Sequence, residues 1–468
     1  MTARGGEVLA RAAAGRGPLL AELRGLAVLA GPIAASQAGT QLMSVVDTGV
    51  VGRLGSRELA AVGLGNTLFF AFAVMGIGAV LGLDPLVSQA VGAGDRVRAR
   101  RLLWQGTWLA VVVSVALLLP LGIAALVVAR LDIDPYVTSR ANAFLLIRAA
   151  GLAPLLVFTV ARAYLQALGA TRPMVIAMLA GNVFNLLADV LFVFGGAALP
   201  PWLGPLRAVP ALGVAGAAVS TVLGTWLQLA IVVRAVRRTP VDGAPADLRA
   251  LDRAMFVRTA RLGLPVALQT GAEVGIFSLV GVLAGELGSD SLAAHQVVLT
   301  LASFTFTFTL GIGAAASVRV GQAVGARDRL AARRAGFVAF AAGGAFMACC
   351  GLVFATVPEP IVRLLTDRPD VVAAALPLTV VAAVFQLSDG IQVVGAAVLR
   401  GAGDTRFAFL ANLLGHWLVG FPVAWVLGFA MHRGIVGLWW GLCVGLTTVA
   451  IFLMTRFARM STREIAPV

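Results

Sequence analysis

The sequence predicts an all-α polytopic membrane protein, with twelve transmembrane helices in two pseudo-symmetric six-helix lobes. Three observations lead there. Hydrophobic residues make up 59% of the 468 residues and charged ones only 12%, whereas a soluble domain carries roughly 25% charged residues. The apolar residues fall into runs of a bilayer's length, about 20 residues each. The same short motifs then recur in both halves at a nearly constant offset.

The twelve runs span approximately 26–52, 60–83, 103–129, 141–161, 173–195 and 212–233, then 262–285, 292–316, 336–357, 372–397, 407–430 and 434–455. The opening stretch to Arg24 holds Arg4, Arg11 and Arg16 but no short apolar core ending in a small-residue cleavage site. The first run is therefore expected to be a retained span rather than a signal peptide.

Every basic residue is Arg, and the formal net charge is +14. A basic balance of this kind raises nucleic-acid binding, but the arginines sit in short clusters between apolar runs, the pattern of membrane loops. They include Arg96, Arg98, Arg100 and Arg101; Arg327, Arg329, Arg333 and Arg334; and the long link after the sixth run with Arg234, Arg237, Arg238, Arg249, Arg253, Arg258 and Arg261. With twelve crossings these clusters and both termini share one side, while Arg53, Arg57, Arg130, Arg140, Arg207 and Arg363 are scattered on the other. The Arg-rich side is expected to be cytoplasmic, in a bacterial inner membrane. Cys349, Cys350 and Cys443 all lie in apolar runs and are expected to be buried, inert thiols.

The internal repeat is explicit. Leu54–Ala61 matches Leu287–Ala294 at six of eight positions, at an offset of 233. Gln89–Arg101 matches Gln322–Arg334 at ten of thirteen, and Pro32 maps onto Pro265, at the same offset. Thr171-Arg172 recurs as Thr405-Arg406 at 234, and Gly213 and Gly216 as Gly434 and Gly437 at 221. The drop in offset puts a longer loop in the first copy, around Pro200-Pro201-Trp202. A unit of six spans leaves both copies in the same orientation, related by an axis near the membrane normal around a central cavity. The expected division is a first lobe over 24–235, a linker over 236–258 containing Pro240 and Pro245, and a second lobe over 259–460.

Four carboxylates fall inside apolar runs: Asp47, Asp189, Glu273 and Asp389. Each costs about 2.5–3.5 kcal/mol at the bilayer centre, so each needs a protein-lined or wet surrounding. A carboxyl kept neutral or paired for packing alone satisfies that need. So does a protonatable or cation-binding group on a transport path. At 1.5 Å per residue, Asp47 and Asp189 share a depth in the outer half. Asn185 precedes Asp189 by four residues, on one helix face. Two carboxylates and a carboxamide are hard oxygen ligands, suited to a small cation such as Na⁺ or to a proton. Glu273 comes about 18 Å into its span, near the midplane. Its equivalent in the first copy is Thr40, and that of Asp47 in the second is Val280. The lobes thus share architecture and differ in chemistry.

The motif series becomes recognisable when these pieces are taken in order. It runs Met43-Ser-Val-Val-Asp47-Thr, Val51-Gly-Arg-Leu-Gly55, Leu83-Asp-Pro-Leu-Val-Ser-Gln-Ala-Val-Gly92, Gly181-Asn-Val-Phe-Asn185-Leu-Leu-Ala-Asp189 and Gly216-Ala-Ala-Val-Ser-Thr221. The second half adds Gly263-Leu-Pro-Val-Ala267 leading to Glu273, Ala293-Ala-His-Gln-Val297, Ser317-Val-Arg-Val-Gly-Gln322, Phe385-Gln-Leu-Ser-Asp389 and Leu399-Arg-Gly-Ala-Gly-Asp404. With this series the sequence resembles the multidrug and toxic compound extrusion (MATE) family over nearly its whole length, most closely the bacterial NorM-type branch.

The resemblance implies a monomeric antiporter without cofactors. It would export amphipathic, often cationic compounds in exchange for Na⁺ or H⁺. Carried over by motif, Asp47, Asn185, Asp189 and Thr221 form the cation site of the first lobe. Glu273 and Asp389 match the acidic positions of the second lobe, on the substrate side. Asp84 is expected to cap or anchor its span, Gln89 and Gln322 to be structural, and His295 to be a hydrogen-bonding histidine at a loop end. His416 and Trp417 either line the cavity or pack. Phe304, Phe306 and Phe308 spread around their helix, mostly toward lipid or core.

The rival is a lipid-linked-precursor flippase of the same superfamily, which needs cavity arginines for diphosphate heads; Arg148 and Arg162 are the only candidates. A non-transporting scaffold has no need of four intramembrane acids. The chain has no Gly-x-x-x-x-Gly-Lys-[Ser/Thr] loop for ATP-driven pumping, and no nucleophile–base pattern that would make it an enzyme.

Overall fold

The computed structural model describes residues 18–130, 134–197, 200–241, 243 and 247–468. Arg4, Arg11, Arg16, Pro245 and most of the opening stretch lie outside the described residues. The chain is helical throughout. The first half comprises α1 (Pro18–Val51), α2 (Ser56–Leu81), α3 (Leu83–Gly92), α4 (Arg96–Val128), α5 (Pro135–Ala149), α6 (Leu152–Ala167), α7 (Arg172–Phe194) and α8 (Val214–Arg237). The second comprises α9 (Arg253–Glu286), α10 (Ser289–Gly325), α11 (Arg329–Thr356), the short α12 (Pro358–Arg363), α13 (Pro369–Gly401), α14 (Thr405–Ala430) and α15 (Gly434–Met460). Eleven stretches are long and apolar enough to span a bilayer; α5 and α6, bent by 43° at their junction, make the twelfth.

Most helices outrun the apolar runs at the Arg-rich end. For example, α4 begins at Arg96 rather than 103, and α10 continues to Gly325 rather than 316. The reason is local capping. Asp95 accepts a hydrogen bond from the Arg98 amide at 2.8 Å, and Asp328 one from the Ala331 amide at 2.9 Å, so each helix starts at its aspartate. The turn before each cap requires a left-handed residue. Gly94 supplies it in the first copy (φ 78°) and Arg327 in the second (φ 57°), where a side chain is disfavoured by about 1–2 kcal/mol.

The linker does not hang free. Gln105 and Trp108 of α4 donate to the carbonyls of Ala250 (2.8 Å) and Arg249 (3.1 Å), and the Arg249 guanidinium lies 5.0 Å from the Trp104 ring centre.

At this same end the two halves are joined tightly. Arg319 of α10 makes a two-pronged ion pair with Glu22 of α1 at 2.9 and 2.7 Å. Arg400 of α13 pairs with Asp84 of α3 at 3.2 Å. Asp84 is thus an anchor, but one that ties the two halves together rather than capping its own span. Gln89 donates to the Gly401 carbonyl (3.1 Å) and Gln322 to the Ala167 carbonyl (2.8 Å), so the repeat-matched glutamines reach across to opposite halves. Between them the backbones touch: a Cβ on Gly92 would lie 2.0 Å from the Gln322 carbonyl oxygen, and one on Gly325 2.0 Å from that of Gln89. Small residues allow such approach where lipid offers helices no hydrophobic drive to associate.

The bonds continue to mid-depth, where Thr270 lies 3.4 Å from the Val74 carbonyl. Toward the opposite end no hydrogen bond or ion pair joins the halves among the described residues. There Gln41, Leu42, Ser44, Val45 and Thr48 of α1 are exposed.

The cysteine expectation is corrected. Only Cys443 is buried, while Cys349 is exposed and Cys350 half-buried, because α11 is a peripheral helix and turns that face to lipid. Phe304 is likewise exposed, its ring stacked edge-on at 5.4 Å from Phe308.

Candidate functional site

Three helices of the first half bring one cluster together. Asp47 from α1, Asn185 and Asp189 from α7, and Ser220 and Thr221 from α8 are all buried. The one-turn spacing of Asn185 and Asp189 puts both on the face that meets α1 and α8. The Thr221 hydroxyl lies 2.8 Å from Asp47 Oδ2 and 2.9 Å from the Ala217 carbonyl, so its single proton serves one acceptor at a time. The surroundings of Asp189 include the Asp47 carboxyl and the Ser220 hydroxyl.

Five buried polar atoms of this cluster have no hydrogen-bond partner: Asp47 Oδ1, both carboxyl oxygens of Asp189, and Asn185 Oδ1 and Nδ2. An unmade bond costs about 1–3 kcal/mol per buried group, more for a charged one. Two neighbouring carboxyls add mutual repulsion to that cost. A proton or a small cation held among these oxygens relieves both. The cluster therefore has the chemistry of a hard-cation or proton site.

The second half assembles a different group. Glu273 comes from α9, Asp389 and Gln392 from α13, and Asn412 and His416 from α14. Gln392 donates to Glu273 Oε1 at 3.3 Å and Asn412 to Oε2 at 3.4 Å. The His416 ring lies 3.2 Å from the Asn412 carbonyl, and the Trp417 indole donates to Ala272 at 3.1 Å, fixing α14 against α9 beside the carboxyl. Asn412 lies in the last turn of the regular part of α14, which ends at Leu413; the following stretch, Leu414–Gly420, is a π-helical expansion, a device common at functional sites. Asp389 is buried, and Glu273 is the charge it faces.

Gln392, Asn412 and Ser220 were missed from sequence. Their signal, an amide or hydroxyl inside an apolar run, is present but not distinctive, since threonines in the same runs mostly bond the carbonyl four residues back, as Thr300 and Thr448 do.

His295 is corrected. It is buried, with neither ring nitrogen hydrogen-bonded, edge-on at 5.9 Å to Trp439. Because α10 begins at Ser289, position 295 falls in the second turn and faces the core, not a loop. The two arginines a diphosphate head would require are engaged elsewhere. Arg148 stacks 4.4 Å from the Phe69 ring centre, and Arg162 donates to Gln37 at 2.7 Å.

Comparison with known proteins agrees with this architecture. The MatE family model matches residues 32–191 and 265–426, one match in each half. The multidrug resistance protein NorM of Burkholderia vietnamiensis is 35% identical over 449 residues, 94% of each chain. The probable multidrug resistance protein NorM of Deinococcus radiodurans is 36% identical over 445 residues, 93% of this chain and 95% of that one. Among solved structures, a multidrug resistance MATE family transporter of the MOP superfamily in an outward-facing conformation superposes with a TM-score of 0.84 at 18% identity, covering 94% of this chain and 96% of that one. The eukaryotic MATE transporter AtDTX14 gives 0.81 at 21% identity, covering 95% and 98%. With both halves matched and curated relatives aligned nearly end to end, the chain belongs to the MatE family, the multidrug and toxic compound extrusion transporters, in its bacterial NorM-type branch.

Proposed function

We infer that this chain is a secondary antiporter, not an enzyme, that exports small amphipathic or cationic compounds against an inward flow of Na⁺ or H⁺. It acts as a monomer in the bacterial inner membrane. The observation that carries this reading is the pair of acidic clusters, one per half. The one around Asp47 and Asp189 is rich in unpartnered oxygens; the one around Glu273 and Asp389 is furnished with amide donors.

The first is suited to a small cation or proton, with Asp47, Asn185, Asp189 and Thr221 as ligands. The second, near the middle of its helices within the second half, is suited to an organic cation. Exchange then needs one conformational change that exposes the clusters alternately to the two sides, with ion and substrate each opposing the other's binding. The seam at the linker end corresponds to a form closed on that side and open on the other.

The decisive experiment is dye efflux from proteoliposomes with a Na⁺ gradient and a pH gradient imposed separately. Efflux is expected under one of them. Efflux under neither, with dye binding intact, would sink the antiport reading.

On this reading the linker, the C-terminal segment and the Arg-rich loops lie on the cytoplasmic side, because arginines concentrate in cytoplasmic loops. A cysteine introduced at Arg249, in a variant lacking Cys349, Cys350 and Cys443, is expected to react with an impermeant thiol reagent only in inside-out vesicles. Labelling in intact cells would reverse the orientation.

A further inference from the structure

Beyond α15 the chain does not leave the protein. Ser461 is buried, and the Thr462 carbonyl accepts a hydrogen bond from Arg329 of α11 at 2.7 Å. Ile465 is 8% exposed and packs in the apolar cluster built from α1, α10, α11, α13 and α15. Three residues on, Val468 packs against a different cluster, that of the first half, formed by α2 to α8. Its amide donates to Gln89 Oε1 at 2.7 Å, and Arg98 Nη2 lies 3.5 Å from its carbonyl. Its side chain fills the space above Gly403, where a Cβ would come within 2.6 Å of it. The segment is thus held by α11 of the second half at Thr462 and reaches α3 and α4 of the first at Val468, whose side chain also touches Gly403 of the second.

Gln89 is the centre of this arrangement. Its amide nitrogen holds the Gly401 carbonyl of α13 and its oxygen holds the Val468 amide, so both ends of one carboxamide are committed across the seam. Gln322, its repeat equivalent, donates to Ala167, and among the described residues its oxygen accepts no hydrogen bond. At these two glutamines the two-fold repetition of the seam is broken by this segment. With Thr462 held on α11, a conformational change that separates Gly92 from Gln322, and Gly325 from Gln89, must also pull Val468 off Gln89.

We propose that residues 461–468 form a latch across the linker-end seam, which stabilises the form closed there and has to release Val468 from the first half each time that seam opens. The proposal rests on the transporter reading for its place in a cycle, but not for the contacts themselves. Among the described residues the latch has no counterpart in the first repeat, where the corresponding helix α8 runs into the linker and leads to Pro240.

Two measurements test it in a variant without Cys349, Cys350 and Cys443. In the first, Arg98→Cys and Val468→Cys are joined by a reductant-cleavable thiol cross-linker after purification and reconstitution, so folding is not at issue. Cross-linking is expected to stop efflux and reduction to restore it, while dye still binds from the open side. Unchanged efflux in the cross-linked protein overturns the latch. Efflux absent before cross-linking as well speaks against the transporter reading instead.

The second measurement does not depend on transport. Ser88→Cys, at a side chain buried in the seam beside Gly321, reports seam opening by its rate of labelling from the linker side. Ile465→Asp and Val468→Pro, the latter lacking the amide donor, are each expected to raise that rate. A rise of about tenfold or more is expected for Ile465→Asp, which puts a charge in place of a buried apolar side chain. A labelling rate equal to the parent's in both, with dye binding from the open side retained, overturns the proposal.

Discussion

Asp47→Asn is expected to abolish gradient-driven efflux while leaving the protein inserted and folded. The substitution conserves volume, and the asparagine oxygen can still accept from Thr221, which lies 2.8 Å from Asp47 Oδ2. What it removes is one of the two ionisable carboxyls at the cluster. With Asp189 alone, surrounded by neutral Asn185, Ser220 and Thr221, the oxygens can no longer hold a cation against hydration. Nor can they pass a proton between two carboxyls. Coupling free energies between sites run to about 1–3 kcal/mol, or 5–150-fold, and the full amount is at stake because Asp47 belongs to the site itself. Dye binding should survive, since Glu273 and Asp389 are untouched. Parent-like efflux from Asp47→Asn vesicles, under a gradient that drives the parent, would remove Asp47 from the coupling site.

The second large effect is expected at Glu273→Gln. In the proposed mechanism its carboxylate is the charge that selects a cationic substrate, and removing one member of a desolvated charge pair costs about 2–5 kcal/mol. The loss of cationic dye binding should therefore reach about 30-fold or more, counting tenfold per 1.4 kcal/mol, with neutral amphipathic ligands much less affected.

The fold should tolerate the change for a definite reason. Gln392 and Asn412 both point an amide N–H₂ at Glu273, and their own carbonyl oxygens are buried without partners. A flip of either amide presents an acceptor to the new N–H₂. The pH dependence has a definite sign too: a carboxyl must lose its proton to hold a cation, so dye binding in the parent weakens as pH falls. In Glu273→Gln that dependence should flatten, leaving only the contribution of Asp389. If cationic and neutral ligands weaken equally, or if the pH dependence survives unchanged in both Glu273→Gln and Asp389→Asn, these two residues are structural.

Much of the site was legible because its signals are local. A carboxylate in an apolar run announces itself by its cost, and helical rise gives its depth. The four-residue step from Asn185 to Asp189 places both on one face. Repeat matching was equally direct, and it extends to details no hydropathy profile shows: the caps at Asp95 and Asp328, and the left-handed residues Gly94 and Arg327, fall at equivalent positions. His295, Cys349 and Cys350 were misjudged for one shared reason. Their helix was identified, but which way its face turns, toward core or lipid, depends on neighbours that an almost uniformly apolar sequence does not distinguish.

By itself, then, the sequence determined the twelve spans, their duplication, the Arg-rich end and the position of each acid along its helix, all consequences of periodicity and charge along one helix at a time. Only the tertiary structure decided which helices face one another. The amides at Glu273 come from 119 and 139 residues away, the partner of Gln89 from 312, and Val468 returns across 379 residues to the same side chain. In lipid, helices are not sorted by hydrophobicity, since every face is apolar. They are sorted by close approach at small residues such as Gly92 and Gly325 and by the buried polar groups left to be satisfied, and those fits exist only once the helices are packed.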